Sequence, residues 1–203
     1  MAKLNLPPTK STYLQLRSSM EFVTEGRELL EQKRQILLME LMAQVEAARR
    51  AEREVLERMQ SAYQALDRAL AEGGSLRLGA LAIAARARPE LSLGERRIMG
   101  ITLSEVQTRI AQPRPQFGLG EPTAAIDTVV QRFHAALEAI SRLAEVENIV
   151  YRLARELRKT QRRVNALDKI FIPDYSETLK YIASALEERE REGVVVMRMA
   201  KSR

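Results

Sequence analysis

The chain has 203 residues, with 33 Lys or Arg against 27 Asp or Glu and a formal net charge of +6. It contains no Cys, one His and no Trp. Disulfide scaffolds, thiolate metal sites and cysteine nucleophiles are therefore excluded, and a His-rich metal site or a Ser-His-Asp triad has almost nothing to draw on. Charged residues at 30% and aromatics at 4%, with Ala, Leu, Glu and Arg at helical spacing, predict long helices or coiled coil. They exclude a disordered chain and argue against an all-β sandwich.

The first predicted element runs from about Ser11 to Glu72, with no Pro and one Gly, Gly26. Sixty-odd helical residues would reach roughly 90 Å at ~1.5 Å per residue, wider than any single small domain. Its seam alternates steps of four and three through Leu16, Met20, Val23, Arg27, Leu30, Arg34, Leu37 and Leu41. A second step of four leads to Val45, and the alternation resumes through Ala48, Glu52, Val55, Met59, Ala62, Leu66 and Ala69. This is coiled-coil spacing with one irregularity, and Arg27, Arg34 and Glu52 interrupt it with charge.

The middle differs. Gly73-Gly74-Ser75 predicts the end of the first helix. Leu76 to Arg88 is rich in Ala and ambiguous. Arg97 to Leu103 is β-branched enough for a short strand, with the stretch to Ile110 as its partner. Gln112 to Pro115 and Gly118 to Pro122 read as loop. Neither Gly-rich stretch ends in the Gly-Lys-Ser/Thr of a phosphate cradle.

After Pro122 a second seam runs through Ile126, Val129, Phe133, Ala136, Ile140, Leu143, Val146, Val150, Leu153, Leu157, Thr160, Val164, Leu167 and Phe171. Pro173 predicts a kink or break near Ile172. A last amphipathic piece carries Tyr175, Leu179, Ile182 and Leu186. Two seams of similar length pair most economically as an antiparallel hairpin of helices. The predicted fold is thus all-α, a long antiparallel two-helix coiled coil with a short β-hairpin or small-helix head. The predicted division is residues 1–72 for the N-terminal helix, 73–122 for the head and 123–203 for the C-terminal helix.

Constellations that carry chemistry are not found. His134 reads as a helix-surface residue, and paired carboxylates such as Glu187 and Glu188 read as helix-face charges. No catalytic residue, cofactor or metal is expected. One charge cluster stands out: Arg152, Arg155, Arg158, Lys159, Arg162, Arg163 and Lys169, against Glu156 and Asp168. It reads as a solvated basic face or a collar for an acidic partner. Base-stacking aromatics are few, so a protein partner is favoured over nucleic acid. The absence of a signal-like start or a long uncharged apolar run predicts a cytoplasmic protein without membrane insertion.

Three stretches resemble the D subunit of V-type and archaeal-type ATPases and ATP synthases. The first is Pro8-Thr9-Lys10, Leu14, Gly26, Leu29-Leu30, Lys33-Arg34 and Glu40. The second is Arg97-Ile98-Met99-Gly100-Ile101. The third is Lys159 to Leu167, then Ile172-Pro173, Tyr181-Ile182 and Leu186 to Glu192. The resemblance implies a non-catalytic central rotor shaft, peripheral to the membrane, that couples ATP synthesis or hydrolysis to proton or sodium transport. It implies as partners the catalytic and nucleotide-binding A and B subunits of the ring, the F subunit of the stalk and a subunit coupling to the membrane rotor. Lys33, Arg34, Arg162, Arg163 and Asn165 would then face the ring, and Ile98, Met99 and Gly100 would lie in the central β element. The rival readings are a prefoldin-like holdase, disfavoured by charged termini, and a basic coiled-coil nucleic-acid binder.

Overall fold

The computed structural model describes residues 4–76, 78–79, 90–98, 100–109 and 123–201. In chain order these hold helix α1 (Lys10–Gly73), strands β1 (Glu90–Ile98) and β2 (Ile101–Arg109), and helix α2 (Thr123–Ala166). A π-helical turn (Leu167–Phe171) and helix α3 (Ile172–Lys201) follow. The fold is therefore helical with a small central antiparallel sheet, as the two seams imply. The chain divides into two compact units, Met1–Leu38 with Leu157–Arg203, and Met39–Glu156. The Leu76–Arg88 stretch lies largely outside the described residues, as do both expected loops from Gln112 to Pro122 and Met99.

Local chemistry sets the ends of α1. The Thr9 hydroxyl accepts the Thr12 N–H at 3.2 Å, which satisfies one of the orphan donors of the first turn. At the other end Gly74 has φ +76°, and its N–H donates to the Leu70 carbonyl at 3.0 Å. A left-handed residue just past the last turn is the geometry glycine adopts without a Cβ penalty, and it stops the helix where the sequence implied.

In the first unit, Leu16 and Leu37 of α1, Thr160 and Val164 of α2, and Thr178 and Ile182 of α3 are buried. Arg27 pairs with Asp168, and Arg34 donates to Gln161. Seven residues forward on α1 is therefore seven residues back on its partner, which fixes an antiparallel, heptad-spaced register. The π-helical turn closes with the Ile172 N–H on the Leu167 carbonyl, a span of five. Pro173 follows as the second residue of α3. Its ring would crowd the carbonyl four residues back in an ordinary α-turn, and the wider turn gives it room. The extra residue rotates the face that follows. Phe171, expected in the seam, is 44% exposed and stacks edge-on with Tyr175 at 6.4 Å, while Thr178 rather than Leu179 becomes the buried position.

In the second unit the buried positions of the helices are mostly small: Ala51, Ala62 and Ala69 of α1, and Ala136 and Ala139 of α2, with Leu153. Arg58 donates to the Ala135 carbonyl at 3.1 Å, Arg142 reaches Glu54 at 3.4 Å, and Tyr63 meets Phe133 edge-on at 5.8 Å. Two expected seam positions move by one residue. Glu52 and Ile140 are exposed, and Ala51 and Ala139 are buried in their place.

The strands pair antiparallel from Glu90 opposite Arg109 to Ile98 opposite Ile101. The expected single strand from Arg97 to Leu103 is thus split. Ile98 closes β1, Ile101 opens β2, and Gly100 lies between them at φ +79°, a left-handed conformation open to glycine. Leu103 is 2% exposed and anchors the hairpin within this unit.

Candidate functional site

The helical pair of the first unit joins its seam with charge as well as apolar packing. Arg27 sends its Nε to Asp168 Oδ1 at 2.8 Å, and the side chains are about four-tenths exposed. The hydrogen bond and charge of Asp168 push the Arg27 guanidinium further up from its ordinary value. Arg34 bonds Glu31 on its own helix and donates to Gln161 Oε1 across the seam at 2.9 Å. The Glu31 hydrogen bond raises the Arg34 guanidinium. Gln161 in turn donates to Asn165 Oδ1 at 2.9 Å. At the far end of the unit, Lys10 pairs with Glu190 at 2.9 Å, which raises the Lys10 ammonium first through the hydrogen bond and then through charge. Arg189 donates to the Pro8 carbonyl at 2.7 Å.

Of the residues expected to face a ring, Arg34 is thus tied into the seam itself, and Lys33 is half-buried and partnered. Asn165 is exposed and joined to Gln161. Arg162 and Arg163 are exposed and make no hydrogen bond or ion pair among the described residues. In the expected β element, Ile98 and Gly100 sit at the hairpin turn and Met99 lies outside the described residues.

Arg152 stands apart from the rest of the basic cluster. Arg152 sends its Nη1 to the Thr102 carbonyl at 2.7 Å and its Nε to Asn148 Oδ1 at 3.1 Å, so it seats β2 against α2. A charge-assisted bond to a strand carbonyl is worth more than a solvated guanidinium. Sequence spacing carried no signal for this role, because the acceptor is backbone 50 residues away.

Sequence reasoning also missed the apolar surface near the end of α3. Val194, Val195, Val196, Met197 and Met199 are 44–67% exposed. The charged stretch Glu187 to Arg191 is exposed as expected, and beyond it these apolar side chains also point outward around the helix, with exposed Arg198 among them. On α1, Phe22, Leu29 and Ile36 form a second exposed series.

Among the described residues, no three His, Cys, Asp or Glu are grouped to hold a metal ion. No described helix is long and apolar enough to cross a membrane. His134 is half-buried on α2.

An antiparallel helical pair with polar cross-links, joined through a small β-hairpin, defines a helical scaffold whose exposed surfaces are suited to protein contacts. The chain matches the family model described as the D subunit of ATP synthase over residues 12–202, and it belongs to that family. It is 34% identical over 203 residues to the D subunit of the A-type ATP synthase of Pyrococcus abyssi, covering 98% of this chain and 94% of that one. It is 38% identical over 205 residues to the D 2 subunit of the V-type ATP synthase of Treponema pallidum, covering 99% and 96%. With the D subunit of the V-type ATP synthase of Thermotoga neapolitana it shares 32% identity over 200 residues, covering 98% of each. A member of this family is a component of a multisubunit complex.

Proposed function

We propose that the chain is the central-stalk component of a V/A-type rotary ATPase, which carries torque between a nucleotide-binding ring and a membrane rotor as ATP synthesis or hydrolysis is coupled to proton or sodium transport. The observation that carries this reading is the exposure of Val194, Val195, Val196, Met197 and Met199 around one short stretch of helix, with Arg198 the one charge among them. A helix with apolar side chains on most of its circumference is normally buried against something. The axial opening of a ring of subunits would bury it. Catalysis then resides in the A and B subunits of the ring, with this chain as a non-catalytic shaft. The F subunit and the rotor-coupling subunit complete its partners, and the complex faces the cytoplasm.

Polar layers suit the task. Arg27–Asp168 and Arg34–Gln161 hold the helices together without a purely apolar zipper. Exposed Arg162 and Arg163 present charge rather than grease to a surrounding surface. A contact of that kind suits a surface that must leave one angular state for the next.

Co-expression with the A, B and F subunits from the same genome tests the proposal. The expected result is a stoichiometric complex with ATPase activity. Purification of an active complex that excludes this chain would overturn it.

A further inference from the structure

The buried seam of α1 in the first unit passes through Leu16 and Leu37. A different face of the same helix carries Phe22, Leu29 and Ile36, which are 77%, 66% and 41% exposed. These three are spaced seven apart. Positions seven apart return to within about 20° on a helix, roughly 10.5 Å further along it. The series is therefore a second coiled-coil stripe with no helix on it. Glu25 lies on the same strip between Phe22 and Leu29, and Glu21 and Glu28 border it, all exposed. Glu21 pairs with Arg17 at 3.4 Å, and Glu28 acts on the neighbouring Arg27 through charge. Lys33, half-buried and partnered, lies on the strip between Leu29 and Ile36, so the carboxylates line its first half, around Phe22 and Leu29, an unusual grouping on a chain of net charge +6.

We propose that the strip from Phe22 to Ile36 docks an amphipathic helix whose flanks carry Lys or Arg, contributed by another subunit of the complex. The inference rests on the central-stalk reading for the identity of the donor. Heptad spacing of the anchors selects a helix, because a strand would repeat every second residue. The carboxylates select the charge of the part that lies over Phe22 and Leu29. A helix with Leu or Met at the seam would cover the three apolar side chains, and its basic flanks would meet Glu21, Glu25 and Glu28. An acidic helix would meet three like charges.

Two measurements decide it. First, fluorescence anisotropy of the full-length chain is recorded with a labelled heptad peptide of roughly 21 residues, with Leu at the seam and Lys on the flanks. The same peptide with Glu on the flanks is the comparison. The Lys peptide is expected to bind saturably and the Glu peptide not to bind. Phe22→Asp and Leu29→Asp, checked for unchanged helicity, are each expected to weaken the Lys peptide by about tenfold or more. The pair Glu25→Lys with Glu28→Lys is expected to weaken it by about threefold or more, with loss of salt dependence. Leu56→Asp, at an exposed leucine of the other unit, should leave binding unchanged. No binding, equal binding of both peptides, or equal binding to all variants overturns the proposal.

Second, a photo-crosslinking phenylalanine at position 29 of the purified complex is expected to capture a Lys/Arg-rich helical segment of another subunit. Capture of an acidic segment, or of a second copy of this chain, overturns it. If the chain enters no complex, the central-stalk reading and the donor assigned here fall together. The peptide result still decides separately whether the strip takes a basic helix.

Discussion

The hydroxyl of Thr178 accepts the Leu4 N–H at 3.2 Å and donates to the Asp174 carbonyl at 2.7 Å, and the side chain is fully buried. It therefore ties the segment before α1 to α3. Thr160 is also buried, at 2% exposure, but its hydroxyl makes no hydrogen bond among the described residues. A satisfied buried group and an unsatisfied one respond oppositely to an isosteric apolar change. Thr178→Val is expected to cost about 1–2 kcal/mol, because it strands the Leu4 amide. Thr160→Val is expected to be neutral or mildly stabilising. Urea unfolding of both variants checks the pair, and faster hydrogen exchange at Leu4 should accompany the first change only.

At the scale of elements, the small residues of the second unit carry the sharper constraint. Ala62 and Ala136 are at most 1% exposed. Helix axes approach according to the side chains between them, and alanines bring them to the short end of the usual range. Ala62→Leu would force several extra carbon atoms into that contact. The expected cost is about 1–3 kcal/mol, read as a fall in the urea midpoint. Gln60→Trp, at an exposed position of the same helix, is the matched surface control and should change little.

The same contact explains which parts of the elements were legible in the sequence. Heptad counting permits either order of three and four, and both orders link Ala48 to Val55 and Ala136 to Leu143. Apolar size favoured Ile140 over Ala139, yet the seam buries the alanine because the larger side chain does not fit between close axes. The end of α1 was legible because Gly73-Gly74 has few alternative uses. The hairpin turn was not, since Met99-Gly100 sits inside an otherwise strand-like run. The π-helical turn left only Pro173 as its trace. Arg152 was read with the basic cluster because its partner, a strand carbonyl, has no sequence signature.

For the whole molecule, net charge says less than where the charges are spent. Arg27, Arg34 and Arg152 are engaged inside their units, while Arg162 and Arg163 are left to solvent. The outward pair is accordingly the part of the proposed ring-facing set most open to test. Reversal of both, Arg162→Glu with Arg163→Glu, is expected to lower the ATPase turnover of the assembled complex by about threefold or more. Far-UV helicity should be unchanged, as neither side chain bonds another described residue. Unchanged turnover would remove this pair from the working surface. Family membership was legible in the order and content of three short stretches of sequence, whereas the division of the arginines between inside and outside needed coordinates.

The matched seven-residue steps from Arg27 to Arg34 and from Asp168 back to Gln161 have a further consequence. Apolar zippers are forgiving of sliding, because one leucine greets the next much as it greeted the last. Here a slide of one heptad in one direction would set Arg34 against Asp168 but strand Arg27 on Tyr175, and in the other would set Arg27 against Gln161 but strand Asp168 on Met20. Only the native register makes both rungs at once, so each such slide gives up one of them, and the pair acts as a partial detent against lengthwise shear in this unit.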